Sequence, residues 1–165
     1  MSNVADRIAE AVNAIWVVDT HEHLVSEEER ARAAVDFSYL FPHYASSDLI
    51  SAGMPPALLE AVRLPTRQVL VDRAARMRRP RPYPIPTRAD MSLEERWNAI
   101  EPYWEHSRYT GYGKCLLIAV RDLFGIPEIS RLTYRQLSEA IAASNRPGWY
   151  EHVLKDKARI AISIQ

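Results

Sequence analysis

Two short apolar segments at opposite ends of the chain constrain its fold more than any other feature. Residues 15–19 (IWVVD) and 159–164 (RIAISI) both have the composition of β-strands. Between them lie more than a hundred residues dominated by helix-start and helix-stop signals. Strands joined by so long a helical crossover are expected to run parallel. The sequence therefore predicts an α/β fold in which the two segments pair in parallel.

Helical spacing and capping signals predict the elements around this pair. Apolar residues at helical spacing predict an amphipathic helix before the first strand, namely Val4, Ile8, Ala11, Val12 and Ile15. Capping boxes predict three further helix starts, at Ser26 with Glu29, Ser92 with Glu95, and Thr133 with Gln136. The helix after Ser92 carries Trp97, Ile100 and Trp104, and Pro102 is expected to kink it.

Turn residues and helix breakers predict the other helices. One is expected to start at Ser47-Asp48 and end at Gly53, one to follow Pro55-Pro56, and one to be capped by Thr66. Two more are predicted over 114–124 and 149–157. Alternate prolines in the sequence RPRPYPIP (79–86) favour an extended strap over an SH3-type ligand or a linker.

A His-x-His motif directly follows the first apolar segment. Side chains alternate along a strand, so His21 and His23 are expected on one face, near enough to bind one metal ion. Asp19 shares that face and is a candidate to orient a ligand by a hydrogen bond, whereas Glu22 is expected to point away. Two histidines supply only half of a tetrahedral zinc shell. A structural role for the two histidines is the alternative interpretation.

Composition excludes several classes of protein. The 165 residues carry 21 basic and 21 acidic side chains, so no net charge favours nucleic acid or a membrane surface. No apolar stretch reaches the ~20 residues of a membrane span, and the N-terminus does not resemble a signal peptide. A cytoplasmic protein is therefore expected. The single cysteine, Cys115, lies in an apolar run and is expected to be a buried small hydrophobe.

The sequence VVDTHEHL resembles the first strand of the amidohydrolase superfamily, whose members are metal-dependent (β/α)₈ barrels. The segments FSYLFPHYASSDLISAGMP, WNAIEPYWEHSRYTGYGKCLLIAVRDLFGI and GWYEHVLKDKARIAISI resemble the branch of that superfamily near the uronate isomerases. The resemblance implies that residues 1–165 form an incomplete barrel with strands 1 and 2, and that 26–157 are a mainly helical insertion after strand 1. It also implies that His21 and His23 are metal ligands.

The resemblance further implies a hydrolase that uses a divalent metal, most simply zinc, to act on a small, carboxylate-bearing substrate. The family's other ligands and its catalytic aspartate come from strands four to eight, so the catalytic residues of this chain are unknown. Isomerisation of a uronate-like acid, decarboxylation, and an inactive helical interaction or metal-binding module remain alternatives. Taken alone, the chain is expected to be inactive, to bind zinc weakly, and to associate or form a homo-oligomer through its open sheet edge.

Further candidates lie between the strands. His43, on a loop soon after the motif, and Arg108, beside Tyr109, are candidates to bind substrate, with a solvent-exposed loop and a structural ion pair as the respective alternatives. His106 is expected to face a helix C-terminus, and His152 the surface. A basic cluster is expected to be a solvated helix face and not a nucleic-acid site, and it comprises Arg73, Arg76, Arg78, Arg79 and Arg81.

Overall fold

The computed structural model describes residues 3–41, 43–62 and 91–164 and divides the chain into two compact units. The first unit comprises Met1–Ala33 and Ser144–Gln165, and the second comprises Ala34–Ala143. The predicted helix capped by Thr66, the basic cluster of 73–81 and the proline-rich strap of 79–86 lie outside the described residues.

The first unit contains the two predicted strands as a parallel pair. Helix α1 (Val4–Asn13) begins at a capping box in which the Asn3 side chain accepts the N–H of Asp6 and the Asp6 carboxylate accepts the N–H of Asn3. Strand β1 (Val17–Asp19) pairs in parallel with β2 (Ile160–Ser163), with Val17 opposite Ile160 and Asp19 opposite Ser163. Both strands are shorter than predicted, but the parallel pairing is confirmed. The chain is thus mixed α/β, and the described part is mostly helical.

Helix α2 (Glu27–Arg32) is tied to the turn before the last helical segment of the same unit. The hydroxyl of Ser26 accepts the N–H of Glu29, which is one of the two bonds of the predicted capping box. The Tyr150 N–H donates to the Glu27 carboxylate at 2.8 Å, which lowers the pKa of that carboxyl. The Tyr150 hydroxyl donates to the carbonyl of Val25 at 2.9 Å. These bonds fix the chain that leaves the histidine motif.

The helical segment before β2 differs from the prediction. Residues 149–157 were expected to form an α-helix, but Glu151–Lys157 is a π-helix. A π-helix closes i→i+5 hydrogen bonds, and no periodicity in so short a segment distinguishes it from an α-helix. Arg159 follows with φ of 54°, which turns the backbone into β2.

The second unit is an assembly of helices around an aromatic core. After a 3₁₀ turn (Phe37–Leu40), the helices are α3 (Tyr44–Ser51), α4 (Pro56–Val62), α5 (Leu93–Ser107), α6 (Gly111–Phe124) and α7 (Tyr134–Ser144), of which Ser144 is assigned to the first unit. Trp97 and Trp104 of α5 are buried, as predicted. The Trp97 ring stacks on Tyr134 at 5.2 Å between centroids, and Phe37 contacts both rings edge-on.

Helix boundaries in the second unit follow capping chemistry. The predicted capping box of Ser92 and Glu95 is present at the start of α5. Helix α6 begins at Gly111, three residues before the predicted start, because the Thr110 hydroxyl accepts the N–H of Gly113. Helix α3 begins at Tyr44 and not at Ser47. The Thr133 hydroxyl accepts the N–H of Ser130 and donates to the carbonyl of Glu128, so it serves the preceding loop and not a capping box.

Cys115 is exposed, which corrects the expectation that it is buried. It lies on α6, whose buried residues Gly113 and Val120 define the inner side of that helix. Ile118, three residues further along, is also exposed at 50%. Residues three apart share one side of a helix, so Cys115 and Ile118 form an apolar outer side. A continuous apolar run in the sequence does not show which of its residues face outward.

No helix in the described ranges is both long enough and apolar enough to cross a membrane.

Candidate metal site

His21 and His23 lie directly beyond the C-terminal end of β1, in a segment without regular secondary structure. Their imidazole rings are in contact edge to face, with centroids 4.7 Å apart and planes at 88°. Both residues are exposed. The prediction had placed them on the strand itself, whereas the strand ends two residues earlier at Asp19. The rings are nevertheless adjacent, as the motif predicted.

The separation of the two rings fits a shared metal ion. With Zn–N bonds of about 2.0–2.1 Å, each imidazole centroid lies about 3 Å from the ion, so two ligands at a tetrahedral angle place their centroids about 5 Å apart. The observed centroid distance of 4.7 Å is close to that value. The ring separation of His21 and His23 is therefore the one that two imidazole ligands of a shared ion require.

The first unit provides two candidate metal ligands, His21 and His23. Within residues 3–41, 43–62 and 91–164, no group of three or more histidine, cysteine, aspartate or glutamate side chains is placed to hold a metal ion. A catalytic zinc normally has three protein ligands and an open position. The described residues thus provide half of a tetrahedral shell, and no catalytic base can be assigned among them.

Asp19 fixes the backbone of the motif. Its carboxylate Oδ1 accepts the N–H of His21 at 3.2 Å, and its carbonyl accepts the N–H of Ile164 at 2.9 Å. The first bond turns the chain out of the strand, and the second ties that turn to the end of β2. Asp19 therefore orients the first histidine through the main chain, whereas the sequence had suggested a bond to a ligand ring.

Glu22, between the two histidines, has an unusual environment that the sequence did not indicate. Its Oε1 is shielded from solvent and has no hydrogen-bond partner among the described residues. Carboxylate oxygens that are removed from water normally accept at least one hydrogen bond. The alternation of faces could predict that Glu22 diverges from His21 and His23, but not that its oxygen would be shielded.

His43 is assigned to the second unit, whereas His21 and His23 are assigned to the first. It is exposed, precedes α3 and has a positive φ of 55°. Its carbonyl accepts the N–H of Ser46 at 3.1 Å, which starts the helix. These observations describe a loop residue at a helix start, and its role as a substrate ligand stays a prediction.

Arg108, also in the second unit, is engaged by two carboxylates. Its Nη1 contacts Glu105 at 3.3 Å and its Nη2 contacts Glu128 at 3.2 Å. Burial disfavours the charged guanidinium, but the hydrogen bonds with Glu128 and Glu105 outweigh that effect and raise the pKa of Arg108. The structural ion pair, the alternative drawn from the sequence, is the arrangement present.

The remaining histidines have surroundings that account for them. His106 is exposed in the last turn of α5, where a cation complements the helix dipole. His152 lies 3.5 Å from Asp156 on the π-helix and contacts the ring of Trp149. Neither belongs to a candidate metal group in the described part of the chain.

No protein-family model, no curated protein and no solved structure matches this chain. Support for a function accordingly comes from the geometry of its own residues.

Proposed function

We propose that this chain contributes the metal-binding strand of a metal-dependent hydrolase that acts on a small, carboxylate-bearing substrate. The observation that carries the proposal is the contact between the His21 and His23 rings immediately beyond β1. In α/β barrels, residues at the C-terminal ends of the strands supply the active site. The position of the motif supports the barrel interpretation for the same reason.

The exposed sheet supports the view that β1 and β2 are the first two strands of a larger barrel. Val17, Val18 and Ile162 are 44%, 54% and 56% exposed. Parallel sheets occur almost only with both faces covered, and a two-stranded sheet is marginal by itself. Neighbouring strands and helices of a barrel would cover these side chains.

The residues have distinct roles in this proposal. His21 and His23 bind the metal, and Asp19 holds the backbone of His21 in the turn that presents its ring. A divalent ion bound there, with zinc the first choice for imidazole ligands, would supply Lewis acidity and activate water for hydrolysis. The general base is not assigned to any residue of this chain.

A non-catalytic metal-binding module is the second candidate. It is favoured by one observation, namely that the described residues bring together two ligands and no third. A uronate isomerase-like or decarboxylase activity uses the same two histidines and differs in the substrate. Turnover assays separate these possibilities.

The test uses the complete product of the gene that encodes this sequence, stripped of metal and reloaded with zinc. We expect zinc-dependent hydrolysis of at least one compound in a panel of small carboxylate-bearing amides and lactones. His21→Ala and His23→Ala should each abolish it, and His106→Ala, which changes an exposed histidine of α5, should not. Turnover that persists in the His21 and His23 variants, or zinc binding without hydrolysis of any compound, would overturn the hydrolase proposal.

A further inference from the structure

The histidine motif presents half of a metal shell to solvent. His21 and His23 are exposed, their rings are in contact, and the described residues add no third ligand. Zinc in proteins is almost always four-coordinate in structural sites. An ion held by this pair alone retains two positions that other ligands can fill. Any molecule that brings a second pair of imidazoles to the same point completes the shell.

The unit that carries the motif also has an uncovered apolar surface. None of its described residues is buried. Nine large apolar side chains are 44–68% exposed, and they are Val4, Ile8, Val12, Ile15, Trp16, Val17, Val18, Ile162 and Ile164. Three of them lie on α1, and the other six lie in or beside the two strands.

Part of this apolar surface lies at the end of the sheet that the histidines follow. Val18 is opposite Ile162 in the sheet, and the N–H of Ile164 bonds to the carbonyl of Asp19, two residues before His21. The side chains of Val18, Ile162 and Ile164 are each more than half exposed. These side chains therefore lie at the end of the sheet that the motif follows.

We propose that a second copy of this chain is the molecule that completes the site. The two copies are related by a two-fold axis through one zinc ion, with His21 and His23 of each copy as the four ligands. A two-fold interface is isologous, so a half shell on one copy is always matched by the same half shell on the other. The formal net charge of zero leaves no overall repulsion between copies.

In the zinc-bridged dimer the metal ion has no open coordination position. Four imidazoles fill a tetrahedral shell, so no position remains for water or substrate. The inference rests on the proposed function only for the metal-binding role of the two histidines. The dimer and the barrel are alternative ways to cover the same apolar side chains, and each metal ion is either shared between copies or available for hydrolysis.

The test is the mass and zinc content of the purified 165-residue chain, neither of which depends on activity. We expect a monomer of 18.9 kDa in the presence of a chelator and a species of twice that mass after zinc is added. Calorimetric titration should end at one zinc per two chains. Multi-angle light scattering at several chain concentrations should show that zinc and chain concentration both favour the dimer.

Three variants test the ligands and the apolar contact separately. His21→Ala and His23→Ala should each weaken zinc-dependent dimerisation at least tenfold, whereas His106→Ala should leave it unchanged. Ile162→Asn, which keeps all the ligands, should weaken it less than either histidine variant, and circular dichroism checks that each variant is folded. One zinc per monomer, a dimer that forms equally in chelator, or a zinc-dependent dimer that survives His21→Ala would overturn the proposal. If the 165-residue chain forms the zinc dimer but the complete gene product hydrolyses no compound, the proposed function is overturned and the dimer is not.

Discussion

Gly113 packs against the carbonyl of Ser107 so closely that a Cβ atom on Gly113 would lie 2.3 Å from the carbonyl oxygen. The same Cβ would lie 2.7 Å from the carbonyl carbon of Arg108. Both obstacles are backbone atoms at the end of α5, so no side-chain rotation relieves them. The first turn of α6 can therefore sit against the end of α5 only if residue 113 is glycine.

Gly113→Ala should lower the free energy of unfolding by about 1–3 kcal/mol, the usual effect of overpacking. Gly111→Ala is the matched control, because a Cβ at Gly111 meets nothing within 4 Å. Denaturant titration of the two variants measures the difference. Equal stability of Gly113→Ala and the parent chain would show that the α5–α6 junction is not as close as described.

Trp104 and Trp97 provide a second matched pair. The Trp104 Nε1 donates to the carbonyl of Ile129 at 2.8 Å, whereas the Trp97 Nε1 is buried with no partner among the described residues. Trp104→Phe leaves a buried carbonyl without its donor, and Trp97→Phe does not. We expect Trp104→Phe to be the more destabilising by about 1–3 kcal/mol in thermal or denaturant unfolding. The reverse order would contradict the assigned hydrogen bond.

The capping box of α5 should make stability depend on pH. The Ser92 N–H donates to the Glu95 carboxylate at 2.7 Å, and hydrogen bonds from the backbone and side chain of Ser92 lower the pKa of Glu95 below its usual value. A carboxyl with a depressed folded-state pKa stabilises the fold fully above its unfolded pKa, and loses that contribution as the pH falls through the folded value.

Glu95→Gln should therefore reduce the loss of stability on acidification below pH 4.5, while it lowers stability at neutral pH. Urea titrations at neutral pH and at several values below 4.5 measure both effects. Glu139→Gln, at an exposed position of α7, is the control. An acid dependence identical in Glu95→Gln and the parent would mean that the carboxylate does not accept the Ser92 N–H in solution.

Cys115 should react with a thiol reagent in the native protein. Its exposure on the outer side of α6 predicts modification of one equivalent without denaturant, at a rate within about tenfold of a small free thiol at the same pH. A colorimetric disulfide reagent followed over time gives both rate and stoichiometry. A requirement for denaturant would restore the expectation drawn from the sequence, that this residue is buried.

The sequence predicts local structure well where one residue controls it. The Ser92 capping box and the spacing of Trp97, Ile100 and Trp104 were enough to predict α5, its start and its buried side, since capping and helical period are properties of neighbouring residues. The composition of the two terminal segments predicted the parallel pair, because a long helical connection leaves little alternative.

The sequence fails where a particular hydrogen bond ends an element or joins distant residues. β1 stops at Asp19 because the Asp19 carboxylate accepts the N–H of His21, which ends the extended backbone before the motif. The adjacency of the histidine rings could be predicted from alternation, but not their place in an irregular segment. The bonds of Arg108 to Glu128, twenty residues away, likewise have no signature in the local sequence.

The π-helix Glu151–Lys157 makes the chain between Trp149 and β2 sensitive to the loss of a single residue. A π-helix accommodates one more residue per hydrogen-bonded turn than an α-helix. Deletion of one residue would let the segment relax into an ordinary α-helix, but it would also shift β2 by one position. A shift of one residue sends every side chain of a strand to the opposite face of its sheet. Ile160 and Ile162 would then exchange places with Ala161 and Ser163, so evolution can shorten this connection by two residues more easily than by one.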